Sequence, residues 1–372
     1  MSQDFMARLQ LQLREAALRE ERRSPLGRRL AELRHGTPGP AATAAVALAA
    51  VLLAVVVAVG GLRWGAEEDT VSNPRVIGTV QLADNLGWIS SGFGSVWVAD
   101  TNRQVLLRVD PRTRRVQAEI RTGGDSNAQG GDPMVAAGSD AVWAIARAPG
   151  GDGGHRILRI DPRTNRITAR ATLPAGQAPL IFDIQIVDGR PWVLTLRGAI
   201  EIDPTTGRPG RFVAIDRSTD EDFPQWTIIA QGRLWVLTRS QRIDRYDLAT
   251  GRRESSLPVR LPGTFAVVPT RGGMLLSGSQ GELAGARDTD GRIVWRRKLG
   301  DTSTLPLVMD ETAWLHASDV EAGRDRLVEI DLGTGRERSS TVLPEFGIAG
   351  MTPVGRDLWI TTPSGSVIVV RP

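Results

Sequence analysis

The sequence predicts an all-β domain of seven repeated units, and three features of the chain lead to this fold class. A phrase of the type Gly-x-(Val/Leu)-Trp-Val recurs about every 40 to 49 residues. An aspartate-containing turn follows most copies, and one alternating apolar strand precedes the first repeat without belonging to it. A regular period near 40 residues in strand-forming sequence is typical of a β-propeller, in which each repeat forms one four-stranded blade.

The number of copies of the tryptophan phrase predicts the number of blades, and each copy is predicted to form the second strand of its blade. Six copies carry the tryptophan: GSVWVAD (94–100), SDAVWAI (139–145), GRPWVLT (189–195), GRLWVLT (232–238), ETAWLHA (311–317) and RDLWITT (356–362). A seventh copy, GGMLLSG (272–278), has Leu275 at the tryptophan position. We expect these side chains to pack between neighbouring blades rather than to form a carbohydrate-binding surface. Trp226, at the start of an inner strand, is the tryptophan expected to face the central channel.

The two ends of the repeat region are predicted to share one blade. The last copy, 349–371, ends after three strands, whereas RVIGTVQL (75–82) is a strand without a blade. Pairing the two closes the ring and removes an open sheet edge. The other six predicted blades cover 87–121, 133–173, 181–215, 225–259, 264–299 and 305–343.

A second repeated phrase marks the turn from the third to the fourth strand. Its copies are VDPRT (109–113), IDPRTNR (160–166), IDPTTGR (202–208), YDLATGR (246–252), RDTDGR (287–292) and IDLGTGR (330–336). Aspartate accepts backbone hydrogen bonds in such turns, and glycine or asparagine takes the left-handed position. We therefore interpret these aspartates as turn residues and not as ligands.

Charge and composition exclude several classes of function. The chain has 46 basic and 42 acidic residues, and all basic residues but Lys298 are arginine, which we interpret as codon bias. Residues 1–40 contain eight arginines and five acidic residues, which leaves 38 basic and 37 acidic residues in the rest. That balance lacks the basic excess of a nucleic-acid-binding surface. The absence of cysteine excludes disulfides, thiolate metal sites and cysteine nucleophiles.

Residues 41–62 predict a transmembrane helix. The stretch AATAAVALAAVLLAVVVAVGGL has 22 residues and no charge. A helix of this length measures about 33 Å, enough for a hydrocarbon core of about 30 Å. The alternative, a cleaved signal peptide, has an apolar stretch of only about 7 to 15 residues. Five arginines in 22–34 precede the span and Glu67, Glu68 and Asp69 follow it, so the propeller is expected to be extracytoplasmic.

The predicted domain organisation has four parts. They are an Arg-rich cytoplasmic leader (1–40), the transmembrane helix (41–62), a linker (63–74) and the propeller (75–372). In the leader, Met6, Leu9, Leu13 and Ala17 recur at helical spacing. The leader is either an amphipathic helix that contacts anionic lipid or a partner, or a charged segment that only fixes the topology.

The repeats resemble known bacterial propellers. GSVWVAD followed by VLLRVDPRTRRVQAEI is similar to YncE-like and streptogramin (virginiamycin B) lyase-like propellers, and the resemblance covers about 75–372. One blade, ARDTDGRIVWRRKLG (286–300), resembles the repeat of pyrroloquinoline-quinone-type (PQQ-type) propellers. The leader, span and propeller together resemble actinobacterial propeller sensor proteins. The lyase resemblance implies a metal-assisted site of histidine and acidic residues at the channel mouth. A seven-bladed ring with a single quinone-type repeat argues against bound PQQ.

Candidate ligand-binding residues lie on loops of one propeller face. Asp125 and Asp132 belong to GGDSNAQGGDP (123–133), and Asp222 and Trp226 belong to DRSTDEDFPQW (216–226). Clustered carboxylates of this kind bind calcium or magnesium in some proteins, although the spacing matches no EF-hand loop. The other candidates are His155 and His316, the two histidines beyond the leader. Neither fits a lyase motif.

Three hypotheses of function follow. The first is a membrane-anchored binding or scaffolding domain that presents one propeller face to an envelope protein or a small-molecule ligand. The second is a metal-dependent lyase-like enzyme with its site at the channel mouth. The third makes the leader a signalling element that couples outer binding to a cytoplasmic partner. None of them involves nucleic acid.

Overall fold

The computed structural model describes residues 73–123, 133–148, 154–216, 222–300, 302–303, 306–319 and 323–372. These residues form strands joined by turns and loops. None of them belongs to a helix of the length and apolar character needed to cross a membrane. The predicted leader helix and transmembrane helix lie outside the described residues.

The described strands form seven sheets. Strand β1 (Arg75–Gln81) comes first in the chain. Blades 1 to 5 each consist of four consecutive antiparallel strands. They are β2 (Leu86–Gly92), β3 (Ser95–Asp100), β4 (Val105–Val109) and β5 (Val116–Arg121) in blade 1; β6 (Met134–Ala137), β7 (Val142–Arg147), β8 (His155–Asp161) and β9 (Arg166–Thr172) in blade 2; β10 (Ile181–Val187), β11 (Arg190–Thr195), β12 (Gly198–Ile202) and β13 (Pro209–Ala214) in blade 3; β14 (Pro224–Ala230), β15 (Arg233–Thr238), β16 (Arg242–Asp247) and β17 (Arg253–Pro258) in blade 4; and β18 (Thr264–Thr270), β19 (Gly273–Gly278), β20 (Glu282–Ala286) and β21 (Ile293–Lys298) in blade 5.

Blades 6 and 7 depart from this pattern. In blade 6, two short segments share the inner position and both pair with the second strand. Its strands are β22 (Thr302–Ser303), β23 (Leu307–Met309), β24 (Thr312–Asp319), β25 (Arg324–Asp331) and β26 (Glu337–Val342). Blade 7 contains β27 (Gly350–Val354), β28 (Asp357–Thr361), β29 (Ser366–Arg371) and, on the outside, β1.

The predicted closure by the first strand is confirmed. β1 runs antiparallel to β29, with Arg75 opposite Arg371 and Gln81 opposite Ser366. The Ser366 hydroxyl donates to Oε1 of Gln81 at 2.7 Å, and Nε2 of Gln81 donates to the Ser364 carbonyl at 2.8 Å. The inner strand β2 contacts both β6 and β27. The two ends of the repeat region therefore meet in blade 7 and close the ring.

The tryptophans of the repeated phrase pack between blades, as predicted. Each of the six is at most 3% exposed, and Leu275 takes the same buried position in blade 5. Four of them carry an arginine guanidinium on the ring face, at 5.1 to 6.0 Å from the ring centre. These pairs are Trp97 with Arg108, Trp143 with Arg159, Trp192 with Arg211, and Trp235 with Arg245.

The repeated aspartates are turn residues, which confirms their interpretation. Asp110, Asp161, Asp203, Asp247 and Asp331 each accept a backbone N–H from a residue two or three positions later. Hydrogen bonds from Arg338 and Thr334 lower the pKa of Asp331 to about 2. Blade 5 makes the same backbone turn with Arg287 at the aspartate position. These turns lie on the lower face. The upper face carries the second-to-third-strand loops and the loops between blades.

Candidate functional site on the upper face

The predicted site residues lie on several blades. Asp222 and Trp226 belong to the start of blade 4, His155 to blade 2 and His316 to blade 6. Asp125 and Asp132 lie outside the described residues. Of the four described candidates, Asp222 lines a cleft, and the side chains of the other three are buried.

Trp226 does not face the channel, so the expectation for this residue was wrong. Its side chain is 2% exposed and belongs to the hydrophobic core shared by blades 4 and 5. The indole N–H donates to the Val267 carbonyl of β18 at 3.2 Å. The ring is buried like the tryptophans of the repeated phrase, but its N–H bonds the next blade, whereas Trp97 and Trp235 donate to carbonyls of their own blades.

His155 begins β8 and is 7% exposed. It lies opposite Arg147 of β7, and its carbonyl accepts the Leu173 N–H at 2.8 Å. The residue therefore contributes to the pairing at the upper end of blade 2. Its proposed role in ligand binding stays a prediction.

His316 belongs to a buried hydrogen-bonded cluster at the upper end of blade 6. Its Nε2 lies 2.5 Å from Oδ2 of Asp325, and the Ser318 hydroxyl donates to Oδ1 of Asp325 at 2.7 Å. The Gly347 N–H, in the loop that leads to blade 7, donates to the same carboxylate at 2.6 Å. Burial raises the pKa of Asp325, but the hydrogen bonds from His316 and Gly347 outweigh burial and hold it below its usual value. The cluster fixes the loop from blade 6 to blade 7.

Phe346 is presented to solvent on that fixed loop. On its other side, the Glu345 carboxylate accepts hydrogen bonds from the hydroxyls of Thr362, at 3.0 Å, and Ser364, both in blade 7. Phe346 itself is 58% exposed, and Val342 at the end of β26 is also exposed. The residues on both sides of this exposed aromatic side chain are therefore held by hydrogen bonds.

A cleft of about 210 Å³ lies between blades 3 and 4. Its charged lining consists of Asp216, Asp222, Arg242, Asp244 and Arg253. Asp216 follows the outer strand of blade 3, and the other four belong to blade 4 or to the segment that enters it. The cleft therefore brings three carboxylates and two guanidinium groups together at an interface between blades.

Hydrogen bonds hold the start and the end of the 216–222 segment against blade 4. The Asp216 N–H donates to Oη of Tyr246 at 3.1 Å. Asp222 accepts the Ser240 N–H and the Ser240 hydroxyl, both at 2.9 Å. Burial, followed by the charge of Asp244, raises the pKa of Tyr246 to about 12. The phenol therefore stays protonated at neutral pH.

The metal prediction stays a prediction. Among the described residues, no three histidine or acidic side chains lie close enough together to hold a metal ion. Most of the two acidic loops in which calcium or magnesium was expected, residues 124–132 and 217–221, lies outside the part of the chain that the structure describes.

The comparisons with known proteins support the fold. No protein-family model matches the sequence, and no curated protein matches it. The chain is similar in structure to BamB from Moraxella catarrhalis, with a TM-score of 0.54 and 13% identity over 80% of this chain and all of BamB. It is also similar to the β-propeller domain of Cps50 (Swd1) from Myceliophteria thermophila, with a TM-score of 0.60 and 9% identity over 80% of this chain and 99% of that one.

A third similar structure is the computationally designed protein Ika8. Its TM-score is 0.54, with 10% identity over 78% of this chain and 99% of the designed one. At these identities the similarities show a shared fold and carry no activity from one protein to another. The chain is a seven-bladed β-propeller with a BamB-like fold.

Two features of the upper face were not found in the sequence. Arg242 and Asp244 lie in strand β16. The alternation of polar and apolar residues there predicts a strand and gives no sign of a site. Phe346 lies in the loop EFGIAG (345–350), which has no repeated counterpart. The sequence does show one aromatic residue between a glutamate and a glycine shortly after an outer strand, and this pattern could have indicated an exposed loop residue.

Proposed function

We propose that this chain is a membrane-anchored binding protein whose propeller docks a protein partner on its upper face, with Phe346 as the anchor residue. The observation that carries the proposal is the exposure of Phe346 between two neighbours that are each held by hydrogen bonds. Aromatic side chains dominate the binding energy of many interfaces, and a fixed loop loses little conformational entropy on binding. Val342, the last residue of the outer strand of blade 6, is also exposed.

The environment of His316 supports binding over catalysis. The imidazole is buried, and its Nε2 is engaged by Asp325, whose carboxylate also holds Ser318 and Gly347. A general base needs access to the proton that it abstracts. The alternative, a metal-dependent lyase-like enzyme, depends on the resemblance of the repeats and on acidic loops that lie largely outside the described residues.

A photo-reactive amino acid at position 346 of the full-length protein, in its native membrane, tests the docking. We expect a discrete cross-linked product at position 346. Position 294 is the control, because Val294 is 63% exposed on the outer strand of blade 5. The same cross-linking pattern at both positions, or no product at 346, would contradict the proposal.

The proposed location has a separate test. Residues 41–62 would anchor the chain with residues 1–40 in the cytoplasm and the propeller outside. Because the chain contains no cysteine, single cysteines report topology cleanly. We expect a membrane-impermeant maleimide to label Ser279→Cys, on an exposed loop of blade 5, but not Ser2→Cys in intact cells. Labelling of both positions, or of Ser2→Cys alone, would refute this orientation.

A further inference from the structure

Phe93 holds a backbone conformation on the lower face that rarely takes an aromatic residue. It lies in the turn between β2 and β3 with φ at 56°, and Gly94 follows with φ at 66°. The matching turns of blades 3 and 4 place Asp188 and Gln231 at this position. Such two-residue turns favour asparagine, aspartate or glycine, and a bulky side chain there is strained. Strain of this kind is concentrated at functional sites, and the Phe93 side chain is 36% exposed.

Three exposed arginines lie at the same edge of the propeller. Arg112 and Arg115 belong to the turn between β4 and β5 of blade 1, and Arg356 belongs to the turn between β27 and β28 of blade 7. These two blades are neighbours, because β2 contacts β27. None of the three side chains makes a hydrogen bond or an ion pair with a described residue.

The acidic residues of these turns are already engaged. Asp110 accepts the N–H groups of Arg112 and Thr113 at 2.7 and 3.3 Å. Asp357 forms an ion pair with Arg371 at 2.8 Å. The turns 110–115 and 355–357 together contain four arginines and two aspartates. This edge therefore combines an exposed aromatic side chain with an excess of positive charge.

The chain enters the propeller at this edge. β1 begins at Arg75, opposite Arg371 at the lower end of β29. Only twelve residues, 63–74, separate β1 from the proposed membrane anchor 41–62. A segment of that length spans at most about 40 Å when fully extended. The proposed anchor would therefore keep the lower edge of blades 7 and 1 within reach of the bilayer.

We propose that the lower face of blades 7 and 1 rests on an anionic membrane surface, with Phe93 among the headgroups and Arg112, Arg115 and Arg356 near the lipid phosphates. Aromatic side chains favour the interface between membrane and water. Arginines close to an anionic bilayer are attracted to it. The inference rests on the membrane anchoring in the proposed function. It leaves the opposite face, which carries Phe346, open to a partner.

Fluorescent reporters on the full-length protein in lipid nanodiscs test the proposal. Because the chain has no cysteine, an environment-sensitive dye can be attached at Thr113→Cys on the lower face or at Ser279→Cys on the upper face, both exposed positions. The discs contain phosphatidylcholine alone or with phosphatidylglycerol, and a nitroxide lipid as quencher. We expect the fraction of docked chains, measured by quenching at position 113, to be at least about fivefold higher in the anionic discs. Position 279 should stay unquenched in both.

Two double variants in the Thr113→Cys background test the arginines. Arg112→Gln with Arg115→Gln should lower the ratio of docked to undocked chains by about fivefold for each arginine, the effect expected of one such charge near an anionic surface. Arg197→Gln with Arg260→Gln is the matched control, because it removes the same charge from exposed positions of the upper face. We expect the control to keep the quenching at position 113.

Phe93→Asn separates membrane contact from packing. Asparagine suits the first position of this turn, so we expect the substitution to raise the urea midpoint of the protein in detergent. The same substitution should reduce the quenching at position 113 in anionic discs. A lower urea midpoint with unchanged quenching would show that Phe93 is a packing residue, which would overturn its proposed role.

Failure of this inference can be told apart from failure of the anchor. Equal quenching at positions 113 and 279, or equal quenching at position 113 in the two kinds of disc, would overturn the lipid contact and leave the anchor intact. Release of the unaltered full-length protein from its own membranes by alkaline carbonate would remove the anchor, and this inference with it. Neither result changes the cross-linking experiment at Phe346.

Discussion

Arg108 stacks on Trp97 of its own blade and binds the next blade. Its guanidinium lies 5.3 Å from the indole centre, and its Nη1 donates to the Pro162 carbonyl, in the lower-face turn of blade 2, at 2.5 Å. Arg159 repeats the relationship from blade 2 to the Pro204 carbonyl of blade 3 at 3.0 Å. These arginines connect successive blades, so part of the arginine content that we interpreted as codon bias has a structural role.

The contact between Arg108 and blade 2 predicts a loss of stability. Arg108→Gln removes the stacking and the two hydrogen bonds to the next blade, at Pro162 and Asn165, and we expect it to lower the free energy of unfolding by about 1–2 kcal/mol. Urea denaturation measures the change. Arg112→Gln, on the exposed end of the nearby turn, is the control and should change little. Equal effects of the two substitutions would mean that Arg108 does not connect the blades.

Tyr246 predicts an unusual alkaline titration that can be measured directly, because it is the only tyrosine of the chain. Burial and the charge of Asp244 raise its pKa to about 12, against about 10 in an unfolded chain. The folded state resists ionisation, so stability is lost as the pH rises from about 10 through about 12. We expect tyrosinate absorbance near pH 12 in the folded protein and near pH 10 in denaturant. A signal near pH 10 in both states would contradict the burial of the phenol beside Asp244.

Asp183 predicts a second dependence of stability on pH. Its carboxyl group, on inner strand β10, is completely buried, and burial holds its pKa well above the usual value, although hydrogen bonds from Gln185 and Ile184 oppose this. A raised pKa means that stability is lost as the pH rises from about 4, the unfolded value, towards the folded one. Asp183→Asn should therefore gain stability relative to the unaltered protein as the pH rises.

Urea denaturation at a series of pH values measures this difference for Asp183→Asn. Replacing the carboxyl group with an amide also alters the hydrogen bond with Gln185. That change in the free energy of unfolding is the same at every pH, so it leaves the slope against pH unchanged. Asp188→Asn, in the exposed turn after the same strand, is the control for replacing a carboxyl group outside the core. If the difference in free energy of unfolding between Asp183→Asn and the unaltered protein does not change with pH, folding does not raise the pKa of Asp183.

We expect the conformation of the loop that carries Phe346 to depend on the buried carboxylate of Asp325. Asp325→Ala leaves His316, Ser318 and the Gly347 N–H without their acceptor, which should cost about 2–4 kcal/mol. In the unaltered protein the pKa of Asp325 is lowered, so its contribution is present above about pH 4 and is lost as the pH falls through the folded value.

Chymotrypsin reports on the loop itself. We expect Asp325→Ala to speed cleavage after Phe346, while cleavage after Phe93, an exposed residue in a lower-face turn of blade 1, stays unchanged. Unchanged cleavage at both positions would mean that Asp325 does not hold the loop.

The architecture was predictable because its signals are local and repeated. Trp97 and its equivalents recur at one per blade, and the unpaired strand that begins at Arg75 matches the incomplete last repeat. The contacts between blades were not predictable in the same way. Arg108 lies directly opposite Trp97 only once β3 and β4 are paired in register.

The site was predictable only in part. Asp222 was found because it lies in a long acidic loop, whereas Asp244 lies in a strand, and its closeness to Arg253 depends on the pairing of β16 with β17. Trp226 was misplaced because both faces of the inner strand β14 pack against neighbouring blades. Trp226 and Ile228 belong to the core shared with blade 5, and Ile229 belongs to the core shared with blade 3.

The measurement that tests the central claim most directly is the native size of the full-length protein after mild extraction from its own membranes. The unaltered protein and the control Val294→Ala should migrate as a complex larger than the isolated chain, and Phe346→Ala should migrate as the smaller species. If all three proteins migrate at the same size, the upper face does not dock a partner through Phe346.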